Sequence, residues 1–288
     1  MKRLTAARPD WEKKYVEGKT NRARRKGIGY LFGVGDHLLD RFTHPSELKS
    51  VEEVIHCSEA LVDYETLGRH AAVIGCGPKP DSLHRLAQRD YTPIGIEPIE
   101  GAIEEANRDL DGVAVVKKGT AEKCGLDDES QSLVLLENVL EHVDSVRKSL
   151  EEMYRILKPG GVLYILTTNR HRLSLTGVNW EYSIRYFNLF PKSVRESYIH
   201  SQLHHRPQIA RYSPRPAVHW FSYSDLCAHG RDVGFARFYS SVDVKNHIAP
   251  PVKSKAKVTA RLLRNSWFRA AYINMAPGEI FMWKRPSE

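Results

Sequence analysis

The chain has 288 residues, of which 41% are hydrophobic and 27% charged, a balance that excludes global disorder and fits one large globular domain or a domain with an insertion. The formal net charge of +8 points at first to nucleic acid, but the excess sits at the two ends. Residues 1–27 carry 10 basic and 3 acidic side chains and residues 245–288 carry 9 and 2, whereas 28–244 hold 24 basic and 30 acidic. A body that wraps a polynucleotide would be basic itself. The four cysteines, Cys57, Cys76, Cys124 and Cys227, have neither zinc-ligand nor redox spacing. The first residues lack the apolar core of a signal peptide, and no apolar stretch approaches the ~18 residues of a membrane span, so a cytoplasmic protein is expected.

Residues 1–44 are basic and glycine-rich and read as a tail and N-terminal cap ahead of a domain over 45–288. The apolar spacing of Leu48, Val51, Val54, Ile55, Ala60 and Leu61 predicts a helix over 45–67, with Pro45 and Ser46 suited to its start. From residue 71 short apolar runs alternate with amphipathic segments. Strands are expected at 71–74, 94–97, 113–116, 133–136 and 162–166, with helices at 81–89, 98–109 and 144–157. Strands this continuously apolar belong to a parallel sheet covered on both faces, with right-handed crossovers and ligands at the C-terminal strand edge. Residues 170–220 break the rhythm. They are rich in aromatics and proline and hold 8 Lys and Arg, 2 Asp and Glu, and five of the 13 histidines. A helix over 222–233, a strand over 235–243 and a last strand over 279–284 follow.

The first strand runs into Gly75-Cys76-Gly77-Pro78, glycines that let a ligand approach the backbone. A dinucleotide fingerprint would need glycine at position 80, where Pro80 stands. Glu97 ends the second strand, where a carboxylate can accept hydrogen bonds from both ribose hydroxyls or simply favour the helix start that follows. Pro98 comes next. Gly119-Thr120-Ala121-Glu122 follows the third strand, Glu137-Asn138-Val139-Leu140-Glu141-His142-Val143 the fourth, and Lys158-Pro159-Gly160-Gly161 precedes the fifth as a helix stop and turn.

Together these segments, over about residues 70–170, resemble the class I S-adenosylmethionine-dependent methyltransferases, and most closely their small-molecule, type 11-like branch. The resemblance implies an α/β fold, a doubly wound Rossmann-like sheet of seven mostly parallel strands with the last strand antiparallel, an N-terminal helical cap and an insert after the fifth strand. It implies S-adenosyl-L-methionine as cofactor, with Gly75, Cys76, Gly77 and Pro78 against its methionine part, Glu97 and Pro98 at the ribose, Ala121 and Glu122 beside the adenine, and Glu137, Asn138 and Val139 lining the methyl donor. His142 packs near the cofactor as a structural histidine or takes part in catalysis. Three positions depart from the family's pattern: Val73 and Thr120 stand where an acid is common, and Lys79 replaces a third glycine.

The acceptor side is expected in the insert 170–220. His171 and His219 are candidate general bases with His142, since unperturbed histidine titrates near pH ~6.5. Trp180, Tyr186, His204, His205, Arg206, Arg211 and Arg215 would form a basic, aromatic pocket able to grip a carboxylate or phosphate. His200 and His204 have helical ligand spacing but no nearby Asp, Glu or Cys completes a set, so no metal is expected. The basic amphipathic segment 252–272 packs on the domain or lies against an anionic membrane. The expected activity is methyl transfer to an oxygen or nitrogen of a small anionic or lipid-linked metabolite. An RNA or protein methyltransferase, motivated by the basic ends, and a non-catalytic S-adenosylmethionine-binding scaffold are the alternatives. Modification of adenine in DNA or RNA is disfavoured, because no Asn/Asp-Pro-Pro-aromatic segment follows the fourth strand.

Overall fold

A computed structural model describes residues 51–169, 190–191, 193–194, 197–198, 217–248, 266–275 and 278–287. In chain order the elements are α1 (Val51–Glu59), α2 (Tyr64–Leu67), β1 (His70–Ile74), α3 (Asp81–Ala87), β2 (Thr92–Glu97), α4 (Glu100–Leu110), β3 (Val115–Lys118) and β4 (Gln131–Glu137). They continue with α5 (Val146–Ile156), β5 (Leu157–Thr167), α6 (Tyr223–Val233), β6 (Arg237–Tyr239), α7 (Ser241–Ile248), α8 (Ser266–Met275) and β7 (Gly278–Trp283).

The seven strands form one sheet in the order β3-β2-β1-β4-β5-β7-β6. Pairings from β3 through β5 are parallel, and β7 runs antiparallel to both β5 and β6, so the expected doubly wound, Rossmann-like sheet with a reversed last strand is present. The central strands are apolar throughout because both faces are covered. On one face Ala72, Ile74, Val134, Leu136, Leu163, Ile165, Ile280 and Met282 meet α5 and α6. On the other, Ala71, Val73, Leu133, Leu135, Val162, Tyr164 and Phe281 meet α1, α3 and α4. The strand period of two thus sends alternate residues into two separate cores.

Four boundaries differ from the sequence expectation, each for a local reason. The helix expected over 45–67 is two helices among the described residues. Asp63 starts the second by accepting the N–H groups of Glu65 and Thr66. Strand β3 lies two residues later than 113–116. At this sheet edge the Asn107 side chain accepts the Val116 N–H at 2.8 Å and donates to its carbonyl at 3.1 Å, which sets the register and blocks the edge there. Lys158–Gly161 is less a turn than a distortion within β5. Leu157 already pairs with Gln131, the register then shifts, and Gly160 N–H and Lys284 N–H bond to Lys284 and Gly161 carbonyls. The strand expected over 235–243 stops at Tyr239, because Ser240 and Asp243 cap a new helix: the Asp243 carboxylate accepts the Ser240 N–H at 3.0 Å and the Ser240 hydroxyl accepts the Asp243 N–H at 3.3 Å.

Strand order reverses between β1 and β4, the place where an open α/β sheet opens a crevice at its C-terminal edge.

Candidate active site

The loop after β1 is built by glycines at positive φ. Gly75 has φ +67°, and a Cβ placed there would stand 2.4 Å from Val139 Cγ2, so the β1 loop and the segment after β4 touch only because residue 75 has no side chain. Gly77 has φ +69° and its N–H donates to Glu97 Oε2 at 3.0 Å. Gly75 N–H donates to the Ile96 carbonyl at 2.7 Å. The loop is thereby fastened across β2.

Glu97 is 2% exposed and is the hub of this edge. Its Oε1 accepts the Ile99 N–H at 3.2 Å while Oε2 holds Gly77, and its own carbonyl accepts the Gly119 N–H at 3.2 Å. Two backbone donors, one on each oxygen, orient the carboxylate. Pro98 beside it is exposed. After β3, Ala121 is buried and Glu122 reaches toward the start of α5, its Oε1 accepting the N–H groups of Asp144 at 2.8 Å and Ser145 at 3.4 Å. The Glu122 carboxylate thus supports a helix N-terminus.

At the end of β4, burial pushes the Glu137 carboxyl above the ordinary glutamate range, partly offset by the Ser82 hydroxyl that donates to its Oε2 at 3.4 Å. Asn138 is exposed at φ +54°, a conformation asparagine tolerates better than most residues, and its N–H continues the ladder to the Leu166 carbonyl. The His142 N–H closes a turn on the Val139 carbonyl at 2.8 Å. Cys76 is no nucleophile: burial first, and the Glu97 charge second, push its thiol up to about 12.

The start of the segment after β4 is anchored to the end of the insert by a group that periodicity did not single out. Glu141 is 1% exposed, its Oε2 accepts the Thr167 hydroxyl at 2.8 Å, and its carbonyl accepts the N–H groups of Val218 and His219. This carries His219 from the far end of the insert onto the segment after β4. The His219 ring donates through Nε2 to the Val143 carbonyl at 2.9 Å, because a carbonyl only accepts.

The structure therefore joins Gly75 to Val139, Gly77 and Gly119 to Glu97, Ser82 to Glu137, and His219 to Glu141 and Val143. His171, Trp180, Tyr186, His204, His205, Arg206, Arg211 and Arg215 lie outside the described residues, as do 1–44 and most of 252–272. Among the described residues no group of three or more His, Cys, Asp and Glu side chains is placed to hold a metal ion. Nor, among them, is any helix long and apolar enough to cross a membrane.

A parallel sheet with this strand order, a glycine cradle at the reversal point and a buried carboxylate one strand away define a domain for an adenosine-bearing cofactor. Residues 73–165 match the family model of a methyltransferase domain. Over that span the chain resembles a methyltransferase domain of the kind that uses S-adenosylmethionine. An uncharacterised 37.1 kDa protein in a Streptomyces fradiae transposon is 29% identical over 141 residues, which are 47% of this chain. The match spans only 41% of that relative's length. Among solved structures, a chain from the Haloferax volcanii complex with the Trm112 methyltransferase activator is similar over 98% of this chain and 100% of that one, at 17% identity and a TM-score of 0.51. An S-adenosylmethionine-dependent methyltransferase of Thermotoga maritima is similar over 79% and 82%, at 21% identity and a TM-score of 0.45. The similarity to the Haloferax chain supports the fold.

The residues present fit this cofactor. The cradle at Gly75 has no room for a Cβ, and the Glu97 carboxylate is buried at the strand end beside it. The buried Glu137 carboxylate is a group that a nearby cation would stabilise.

Proposed function

We propose that the protein transfers a methyl group from S-adenosylmethionine to an oxygen or nitrogen of a small anionic or lipid-linked metabolite. Bound, the cofactor supplies a methyl group already activated by its sulfonium sulfur. Gly75 and Gly77 let the backbone close on the methionine part, Glu97 holds the ribose, and Ala121 packs beside the adenine. Glu137 offsets the sulfonium charge from the edge of β4. Most of the rate then comes from holding the acceptor in line and excluding water. His219 takes the acceptor's proton, and Glu141 positions it through the backbone.

The observation that carries the reading is the closed ring at the strand ends, in which Glu97 bonds Gly77 and Gly119 while Gly75 lies under Val139. The acceptor class is supported by charge. The segment 170–220 carries 8 basic against 2 acidic residues within an acidic body and leaves the sheet from the same edge.

The test is a labelled-methyl transfer assay against separated small-molecule, lipid, RNA and protein fractions of cell extract. Label in an anionic small-molecule or lipid fraction is expected. Label confined to RNA or protein replaces the acceptor, and absence of S-adenosylmethionine binding in calorimetry overturns the reading altogether.

A further inference from the structure

The glycine loop after β1 is fastened at a further point, by a side chain that stands where the resembling family carries a third glycine. Gly75 N–H and Gly77 N–H hold the first half of the loop to Ile96 and Glu97 of β2. The second half, Pro78-Lys79-Pro80, has a single backbone N–H to offer, because proline has none. Here the fastening passes to the Lys79 side chain. Its Nζ lies 2.7 Å from Asp109 Oδ1 and 3.1 Å from Glu105 Oε1, two carboxylates one turn apart on α4. His84 Nε2 of α3 lies 3.4 Å from the second Asp109 oxygen, so Asp109 ties both the loop and the helix after it to α4.

The cluster is better placed than an ordinary surface ion pair. Lys79, Glu105 and Asp109 side chains are 32%, 21% and 27% exposed, which limits their screening by solvent and salt. Asp109 stands in the last turn of α4, where the helix dipole disfavours an anion, and the cation from the loop offsets it. The Asp109 carboxylate first, and Glu105 with it, hold the Lys79 ammonium above the ordinary lysine range, against burial. Helix α4 starts directly after Ile99, whose N–H donates to Glu97 Oε1. All the fastenings of the loop therefore fall on one continuous stretch, from Ile96 at the end of β2 to Asp109 on α4. A loop tied at both halves to the stretch that carries Glu97 is set before a ligand arrives, and binding then costs less in ordering.

We propose that Lys79 is a positioning residue for the amino-acid end of S-adenosylmethionine: through Asp109 and Glu105 it holds the glycine loop in the shape that receives this end. It acts through the loop and not on the reacting atoms. The inference rests on the assignment of residues 75–78 to the methionine part of the cofactor.

The experiment is calorimetry of the full chain with S-adenosylhomocysteine, and with 5′-methylthioadenosine, which keeps the nucleoside and lacks the amino-acid end. Lys79→Met keeps the apolar stem and removes the charge. It should weaken S-adenosylhomocysteine ~10-fold and leave 5′-methylthioadenosine within ~2-fold of wild type. Lys79→Arg, which can still meet both carboxylates, should bind S-adenosylhomocysteine within ~3-fold of wild type. Asp109→Asn should weaken it as Lys79→Met does, and the double variant no further, because the two changes remove one interaction. A thermal melt of each variant accompanies the titrations, since a general loosening of the domain would weaken both ligands together. The proposal is overturned if Lys79→Met binds S-adenosylhomocysteine as tightly as wild type, if both ligands weaken equally, or if the losses from Lys79→Met and Asp109→Asn add. A wild-type chain that binds neither ligand overturns the cofactor assignment, and this inference with it.

Discussion

Replacing Glu97 by glutamine keeps the shape of the hub and removes half of its acceptors. In the wild-type chain Oε1 and Oε2 each receive a backbone N–H, from Ile99 and Gly77, at a side chain only 2% exposed. Glutamine offers one oxygen and one NH2, so one of those two donors must face another donor. A buried donor left unpaired costs about 1–3 kcal/mol. For a domain of this size that lowers the melting temperature by roughly 2–4 °C per kcal/mol. The bound cofactor suffers separately, because a ribose hydroxyl that donated to a carboxylate then meets the NH2 group. Losing a hydrogen bond to a charged group is worth about 1.5–3 kcal/mol, or about 10- to 150-fold in affinity. Calorimetry with S-adenosylmethionine and its demethylated product, beside a thermal melt, separates the two effects. A lowered melting temperature with affinity within about twofold of wild type would show that Glu97 only ties the loop, and the ribose assignment would fall.

Gly75→Ala places a Cβ 2.4 Å from Val139 Cγ2 at φ +67°, and should cost about 2–4 kcal/mol in urea unfolding together with cofactor binding. Adding Val139→Ala removes the clash, leaves about 1–2 kcal/mol of backbone strain, and so restores part of both. Glu137 works in the opposite sense to an ordinary surface acid. Burial raises its folded pKa, so its contribution is present at low pH and is lost as pH rises through that raised value. Glu137→Gln should therefore raise the melting temperature at pH ~7 while weakening S-adenosylmethionine binding about tenfold, and equal affinity would remove its role at the sulfonium. Glu152 is held down to about 2, first by the Arg155 guanidinium and then by the Cys124 N–H and thiol, against burial. Its stabilisation is present above 4.5 and disappears as pH falls toward about 2. Glu152→Gln should flatten the stability curve across that window by about 1–2 kcal/mol after solvent screening, measured by denaturant titration at each pH. His219→Ala should reduce kcat by about 10²- to 10⁴-fold and remove the acid limb of the pH–rate profile, with KM little changed. A profile identical to wild type would place the base elsewhere.

Much of the C-terminal strand edge is legible along the chain because each of its pieces lies directly at a strand end. Gly75, Glu97 and Glu137–Val139 follow from where the apolar runs stop, since parallel strands deliver their C-termini to one edge. Ser82, Glu141 and Thr167 escape that logic. Ser82 reaches Glu137 across 55 residues, and Thr167 reaches Glu141 across 26. Neither contact leaves a periodic mark, although Glu141 sits inside the very segment that carries the family resemblance.

Composition and periodicity by themselves determined the alternation of strands and helices, the two-sided burial of the sheet and the chemistry of the glycine loop. These depend on what each residue can bury or which φ it can adopt, and both are properties of the local chain. Only the tertiary structure decided that β7 lies between β5 and β6, that β3 slides two residues onto the Asn107 amide, and that His219 is brought from the far end of the insert onto the Glu141 carbonyl. A hydrogen-bond partner is a property of the fold and not of the residue, so each of these appears only once distant segments meet.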